Sequence, residues 1–184
     1  MGLNDLSTRA VVLLVDEIES IAGMGYTAPA KSVDKAAAAL VNLAKLYDIP
    51  IVISGIAWGA PPKLTAAVRE AVGDKVQISV RQRTDSFDDA VILSEIEATG
   101  RKTVLIAGIV TEIAVQRAAL GGKARGFDTR VVFDACNGLS ERSEGAAIHR
   151  MSHAGIVLTS VPALVGELAF DLSDPRTPTV FGVL

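Results

Sequence analysis

The chain has 184 residues, 49% of them hydrophobic and 21% charged, which is enough for one sizeable core and hardly enough for two. A formal net charge of -3, a pI near 5.4 and no Lys/Arg cluster exclude the basic stripe that a nucleic-acid surface needs. A single domain over residues 1–184 is therefore expected, with a small molecule as its partner rather than nucleic acid.

The opening residues, MGLNDLSTRA, lack a basic segment followed by a long apolar one, and the first apolar run, Ala10 to Val15, is too short to span a membrane. A cytoplasmic location is expected, with no membrane partner. A single cysteine, Cys136, cannot form an intrachain disulfide and fits a reducing compartment.

In chain order, apolar runs of strand length alternate with stretches of helical period, the pattern of an α/β fold. The strand candidates are Ala10–Val15, Ile49–Ser54, Val76–Val80, Val104–Ala107, Thr129–Phe133 and Gly155–Leu158. Several are continuously apolar, as parallel strands covered on both faces should be. Helices are expected over Val33–Tyr47, Leu64–Val72, Asp89–Ala98, Glu112–Arg125, Glu144–Ala154 and Val161–Leu168. Gly126 follows a basic last turn and marks a helix stop. The tail, DLSDPRTPTVFGVL, carries two prolines and no helical period, so it is expected to lie along the surface or to reach a neighbouring subunit, with Val180–Leu184 as a contact segment. The fold class that results is a three-layer, Rossmann-like α/β arrangement with a central, mostly parallel, six-stranded sheet.

Ligands of such sheets bind beyond the carboxyl ends of the strands, near the point where strand order reverses. Past the first strand stand Asp16, Glu17 and Glu19; past the third, Arg81, Gln82, Arg83, Thr84, Asp85 and Phe87; past the fourth, Gly108 to Glu112; past the fifth, Asp134 and Cys136. An acid, a basic turn and a glycine turn opening a helix converge on one sheet edge, an active site in outline. The same residues also fit plain structural roles, with Thr111 capping a helix, Asp16 capping a loop and Arg81 pairing with Asp16. A phosphate loop after the first strand is disfavoured, because VDEIES is acidic and has no glycine.

The segments LLVDEIES, VRQRTDSFDD, VLIAGIVTEIAV and VVFDACNG, in this order and spacing, resemble the isochorismatase-like cysteine hydrolase superfamily, and its YcaC-like branch above all. The likeness runs from about Ala10 to Glu167 and includes IHRMSHAG. It implies an Asp/cation/Cys triad with Asp16 as the acid, Arg81 as the cation and Arg83 as the fallback. The nucleophilic cysteine of the GxxTExC turn falls at position 114, which holds alanine. The resemblance further implies oxyanion donors at the N–H groups of Val110 and Ala114, held by a non-proline cis peptide between Ile109 and Val110. It also implies cleavage of a C–N (amide) bond in a small molecule and a homo-oligomeric assembly. No cofactor is implied.

Ala114 has three readings: a cysteine deliberately replaced, a natural binding protein that has lost hydrolysis, or an enzyme with another nucleophile. Cys136, the one alternative thiol, sits where relatives carry a small-residue turn. Vinyl ether hydrolysis of the isochorismatase type is a further alternative. Substrate contacts are expected from Glu17, Trp58, Arg83, Phe87, Thr111, Glu112 and Cys136, with Trp58 and Phe87 as walls and Glu17, Glu19 and Asp85 giving the mouth an acidic cast. Arg81 and Arg83 pull the other way. His149 and His153 have i, i+4 spacing but no third ligand nearby, and Gly55–Ala60 has no histidine or aspartate, so neither a metal nor nicotinamidase activity is expected.

Overall fold

The computed structural model describes residues 6–73 and 77–184. After a short turn of helix, α1 (Leu6–Arg9), the strands are β1 (Ala10–Val15), β2 (Ile51–Gly55), β3 (Ser79–Val80), β4 (Thr103–Ile109), β5 (Asp128–Asn137) and β6 (Val157–Thr159). The helices between and after them are α2 (Glu19–Ala22), α3 (Ala30–Leu46), α4 (Ala66–Val72), α5 (Ala90–Ala98), α6 (Gln116–Ala124), α7 (Glu141–His153), α8 (Val161–Leu168) and α9 (Thr177–Phe181).

Among the described residues the six strands of the sheet pair in parallel throughout, in the order β3-β2-β1-β4-β5-β6. β1 is wholly buried, and successive side chains of a strand face opposite ways. Ala10, Val12 and Leu14 therefore join the core under α3, α4 and α8, while Val11, Leu13 and Val15 join the core under α5, α6 and α7. That two-sided burial is why the strand reads as an unbroken apolar run. Strand order reverses between β1 and β4, so the crevice for a ligand opens beside the ends of these two strands.

Several expected boundaries shift for physical reasons. β3 shrinks to two residues at the sheet edge; Val76, its expected start, lies outside the described residues. β5 runs on to Asn137 because its pairing with β4 slips, with Ile106 opposite Val131 but Gly108 opposite Cys136. The helix expected from Glu112 instead opens with a π-helical turn, Thr111–Val115, before α6. The tail does not merely lie along the surface. It forms the short helix α9, whose Val180 is fully buried in the core under α3 and α8, while Phe181 and Leu184 stay exposed.

Candidate active site

β1 ends one residue before Asp16, whose N–H donates to the carbonyl of Ser54 at 2.9 Å and whose backbone is left-handed, with φ 58°. Aspartate tolerates that region better than most residues, and the turn ends the strand with the carboxylate held at the sheet edge. Two strands away, the Arg81 N–H donates to the carbonyl of Gly55 at 2.9 Å, which places Arg81 just beyond β3. Its guanidinium reaches across β2 to Asp16 in a fork, Nη1 to Oδ1 at 2.8 Å and Nη2 to Oδ2 at 2.5 Å. Nη1 also donates to Ser54 Oγ at 3.3 Å, and that hydroxyl lies 3.0 Å from Ser86 Oγ. Both charges are almost completely buried, so the pair neutralises itself where water cannot. The structural role weighed for Arg81, pairing with Asp16, is real, and it is also what builds the floor of a cleft.

From the other half of the sheet comes the turn after β4. Gly108 is obligatory there, because a Cβ on it would lie 1.9 Å from the Val15 carbonyl oxygen. Val110 is left-handed (φ 64°, ψ 67°), a conformation that costs a β-branched residue about 1–3 kcal/mol. Asn137 stands against this turn. Its carbonyl accepts from Val110 N–H at 2.8 Å, and its side chain accepts from the N–H groups of Thr27 and Ala28 and from the Thr27 hydroxyl, each at 3.0 Å. A residue that reads as part of a loop after β5 thus fastens the turn that presents position 114.

Two expectations for this turn are corrected. The Ile109–Val110 peptide is trans, as are all peptide bonds of the described residues. The N–H groups of Val110 and Ala114 are also not free as oxyanion donors in this conformation: the first is held by Asn137, and the second donates to the Val110 carbonyl at 3.1 Å. The Val110 N–H continues the β4–β5 ladder, in which Ile109 lies opposite Asn137.

Asp16, Arg81 and Ala114 line one cleft of about 330 Å³, at the small end of the range for ligand pockets. Its walls include Ile21, Met24, Ile56, Trp58, Val110 and Ile113, and Gln82, Arg83 and Thr84 lie on its exposed side. Of the expected substrate contacts, Trp58 and Arg83 are there. Ile21, Met24, Ile56 and Ile113 are wall residues outside the expected set, although Ile56 follows β2 directly and Ile113 adjoins position 114.

The other expected contacts lie elsewhere. Phe87 is buried in the second core, tilted against Phe127 with ring centroids 5.4 Å apart. The Thr111 hydroxyl donates to Glu144 Oε1 at 2.7 Å, so it ties α7 to the turn instead of capping a helix. Glu112 accepts from Leu139 N–H at 3.0 Å and from the Ser143 hydroxyl at 2.5 Å. Cys136 is buried, its thiol donates to the Val132 carbonyl at 3.3 Å, and burial pushes its pKa strongly up, the opposite of what a nucleophile needs.

The acidic cast of the mouth is also corrected. Glu17 is fully buried, with both carboxylate oxygens unpartnered among the described residues. Burial first, then the charges of Asp34 and Asp16, raise its pKa well above the usual carboxylate range. Glu19 pairs with Arg69 at 2.9 Å, away from the cleft lining. Asp85 is buried and accepts from Phe87 N–H at 2.9 Å. His149 and His153 lie exposed on α7, with His153 Nδ1 2.9 Å from the His149 carbonyl oxygen. Among the described residues, no group of three or more His, Cys, Asp or Glu could hold a metal ion.

The model of the isochorismatase domain matches residues 10–163, most of the chain, and so includes Asp16, Arg81 and position 114. The chain belongs to the isochorismatase family. Within this family of hydrolases it is 29% identical to the probable hydrolase YcaC of Escherichia coli, over 88% of this chain and 78% of that one. It is 24% identical to the secreted isochorismatase effector Isc1 of Phytophthora sojae, over 97% of this chain and 86% of that one. The crystal structure of E. coli YcaC, described as an octameric hydrolase of unknown specificity, superposes with a TM-score of 0.87 at 28% identity, covering 100% of this chain and 92% of that one. The six-stranded parallel sheet flanked by helices is thus the isochorismatase-like fold. No helix among the described residues is long and apolar enough to cross a membrane.

Proposed function

We propose that the cleft is the site of an amide (C–N) hydrolase of the isochorismatase-like class, with alanine standing where the cysteine nucleophile belongs. The observation that carries this reading is the convergence of the buried Asp16–Arg81 pair and the Ala114 methyl on one small cleft.

With a thiol at position 114, Asp16 takes its proton and the sulfur attacks the substrate carbonyl carbon. The C–N bond then breaks, the amine leaves with the proton from Asp16, and water hydrolyses the thioester to return the thiol. Arg81 holds the Asp16 carboxylate in one orientation by its two-pronged contact throughout. A methyl group can do none of the covalent work, so this chain binds a small amide without turning it over.

The missing thiol also favours a second reading, a binding protein built on the same fold. One experiment decides between them: Ala114→Cys, assayed against a panel of small amides and labelled with iodoacetamide. The enzyme reading expects hydrolysis together with rapid alkylation at position 114. A restored thiol that neither hydrolyses nor reacts faster than an ordinary cysteine would leave only the binding reading.

The apolar exposed end of the tail and the octamer of E. coli YcaC support assembly into a homo-oligomer. A cytosolic location and one domain over 1–184 complete the proposal.

A further inference from the structure

The charges of the cleft sum to a definite sign. Among the described residues, three charged ones line it: Asp16, Arg81 and Arg83. The first two cancel in a buried two-pronged contact. Arg83 is exposed, and it has no carboxylate partner among the described residues.

The nearby acids do not compensate it. Glu17 is fully buried and lies outside the lining, and burial raises its pKa; Glu19 is engaged by Arg69. Asp85 is buried against the backbone, with Arg117 3.6 Å away. Beside Arg83, the exposed Gln82 amide and Thr84 hydroxyl add uncharged hydrogen-bond donors. The remaining wall is apolar. The cleft therefore combines a neutralised floor under position 114, an apolar middle and one uncompensated guanidinium.

We infer that the substrate is a small aliphatic amide carrying a carboxylate, with the amide carbonyl over position 114 and the carboxylate on Arg83. This rests on the reading of the cleft as a substrate site and makes Arg83 a specificity-determining residue. A guanidinium suits the role because its fork matches a carboxylate.

The test uses the chain as it is, since without a thiol it binds without consuming. Trp58 is the one tryptophan and lies in the cleft wall, so intrinsic fluorescence reports occupancy. Succinamate is titrated against its methyl ester and against succinamide, with Arg83→Gln and Arg83→Lys alongside. Succinamate should bind about fivefold more tightly than either neutral analogue, the range of one partly exposed ion pair. Added salt should narrow the preference. Arg83→Gln should abolish it, and Arg83→Lys should keep part of it. Equal affinities, a preference unchanged in Arg83→Gln, or no fluorescence response to millimolar succinamate overturns the inference.

The Ala114→Cys chain separates this failure from failure of the hydrolase reading. Hydrolysis of neutral amides as fast as charged ones removes the role of Arg83 and leaves the enzyme. An Arg83-dependent carboxylate preference without hydrolysis keeps the role of Arg83 and removes the enzyme.

Discussion

Replacing Arg81 by methionine tests whether the cleft floor is held by charge. The guanidinium makes two contacts to Asp16, at 2.8 and 2.5 Å, and the two side chains are only 2% and 5% exposed. Removing one member of such a pair leaves the other charge buried and uncompensated, which destabilises by about 3–5 kcal/mol. For a chain of this size each kcal/mol moves the melting temperature by about 2–4 °C, so Arg81→Met should melt about 6–20 °C lower. Asp16→Asn in the same background removes the orphan charge. The double variant should recover at least half of the loss, although neither single substitution helps. Thermal unfolding of the four proteins at pH 7 closes the cycle. If the double variant melts as low as Arg81→Met alone, the two groups are not coupled, and the account of the floor as a self-neutralising pair is wrong.

Further outcomes follow from other residues. Glu17 holds its proton more tightly when folded than the unfolded value of 4.5 allows, so its contribution is fully present below pH 4.5 and drains away as pH rises toward the folded value. Glu17→Gln has no proton to lose and should gain melting temperature over the parent between pH 4.5 and 8; a gap that stays constant with pH would contradict this. Cys136 should resist Ellman's reagent in the folded chain and react fully in guanidinium, since burial raises its thiol pKa and closes access; fast labelling of the native protein would refute the assignment of Cys136 as a packed thiol. Gly108→Ala would drive a methyl into the Val15 carbonyl, with little room for either strand to yield. It should cost about 3 kcal/mol, the upper part of the overpacking range, and a variant melting within about 2 °C of the parent would show that the strands can separate there.

The strands were legible where burial is two-sided. β1 matches its expected span because each of its residues is apolar whichever face it serves, and α8 matches because Ser160 caps it and Pro162 opens it. The Asp16–Arg81 contact could be anticipated from strand ends alone. What stayed hidden depends on where a side chain turns after the strand stops. Phe87 looked like a wall, yet its short 3-10 turn sends it into the core. Glu17 reads as a substrate contact at the mouth, yet it is sealed within the protein. Nothing in the letters TEIAV announces a π-helical turn, and Asn137 reveals its grip on Val110 only once the β5 bulge has brought the two together.

The order of the strands also sets the order in which the molecule can assemble during synthesis. β1 pairs with β2 on one side and with β4 on the other, and its register with β4 joins Ala10 to Thr103. Closing so distant a pair is slow compared with forming local helices. A ribosome that has released only the first half of the chain has made every atom of the Asp16–Arg81 contact but none of the turn that faces it. Until β4 docks, the edge of β1 is an open template of unpaired backbone groups on an apolar strand, the condition that invites association with other chains. The position reserved for a nucleophile thus arrives in the turn that directly follows the strand ending this exposure, so conditions that slow β4 docking should raise aggregation and delay the site together.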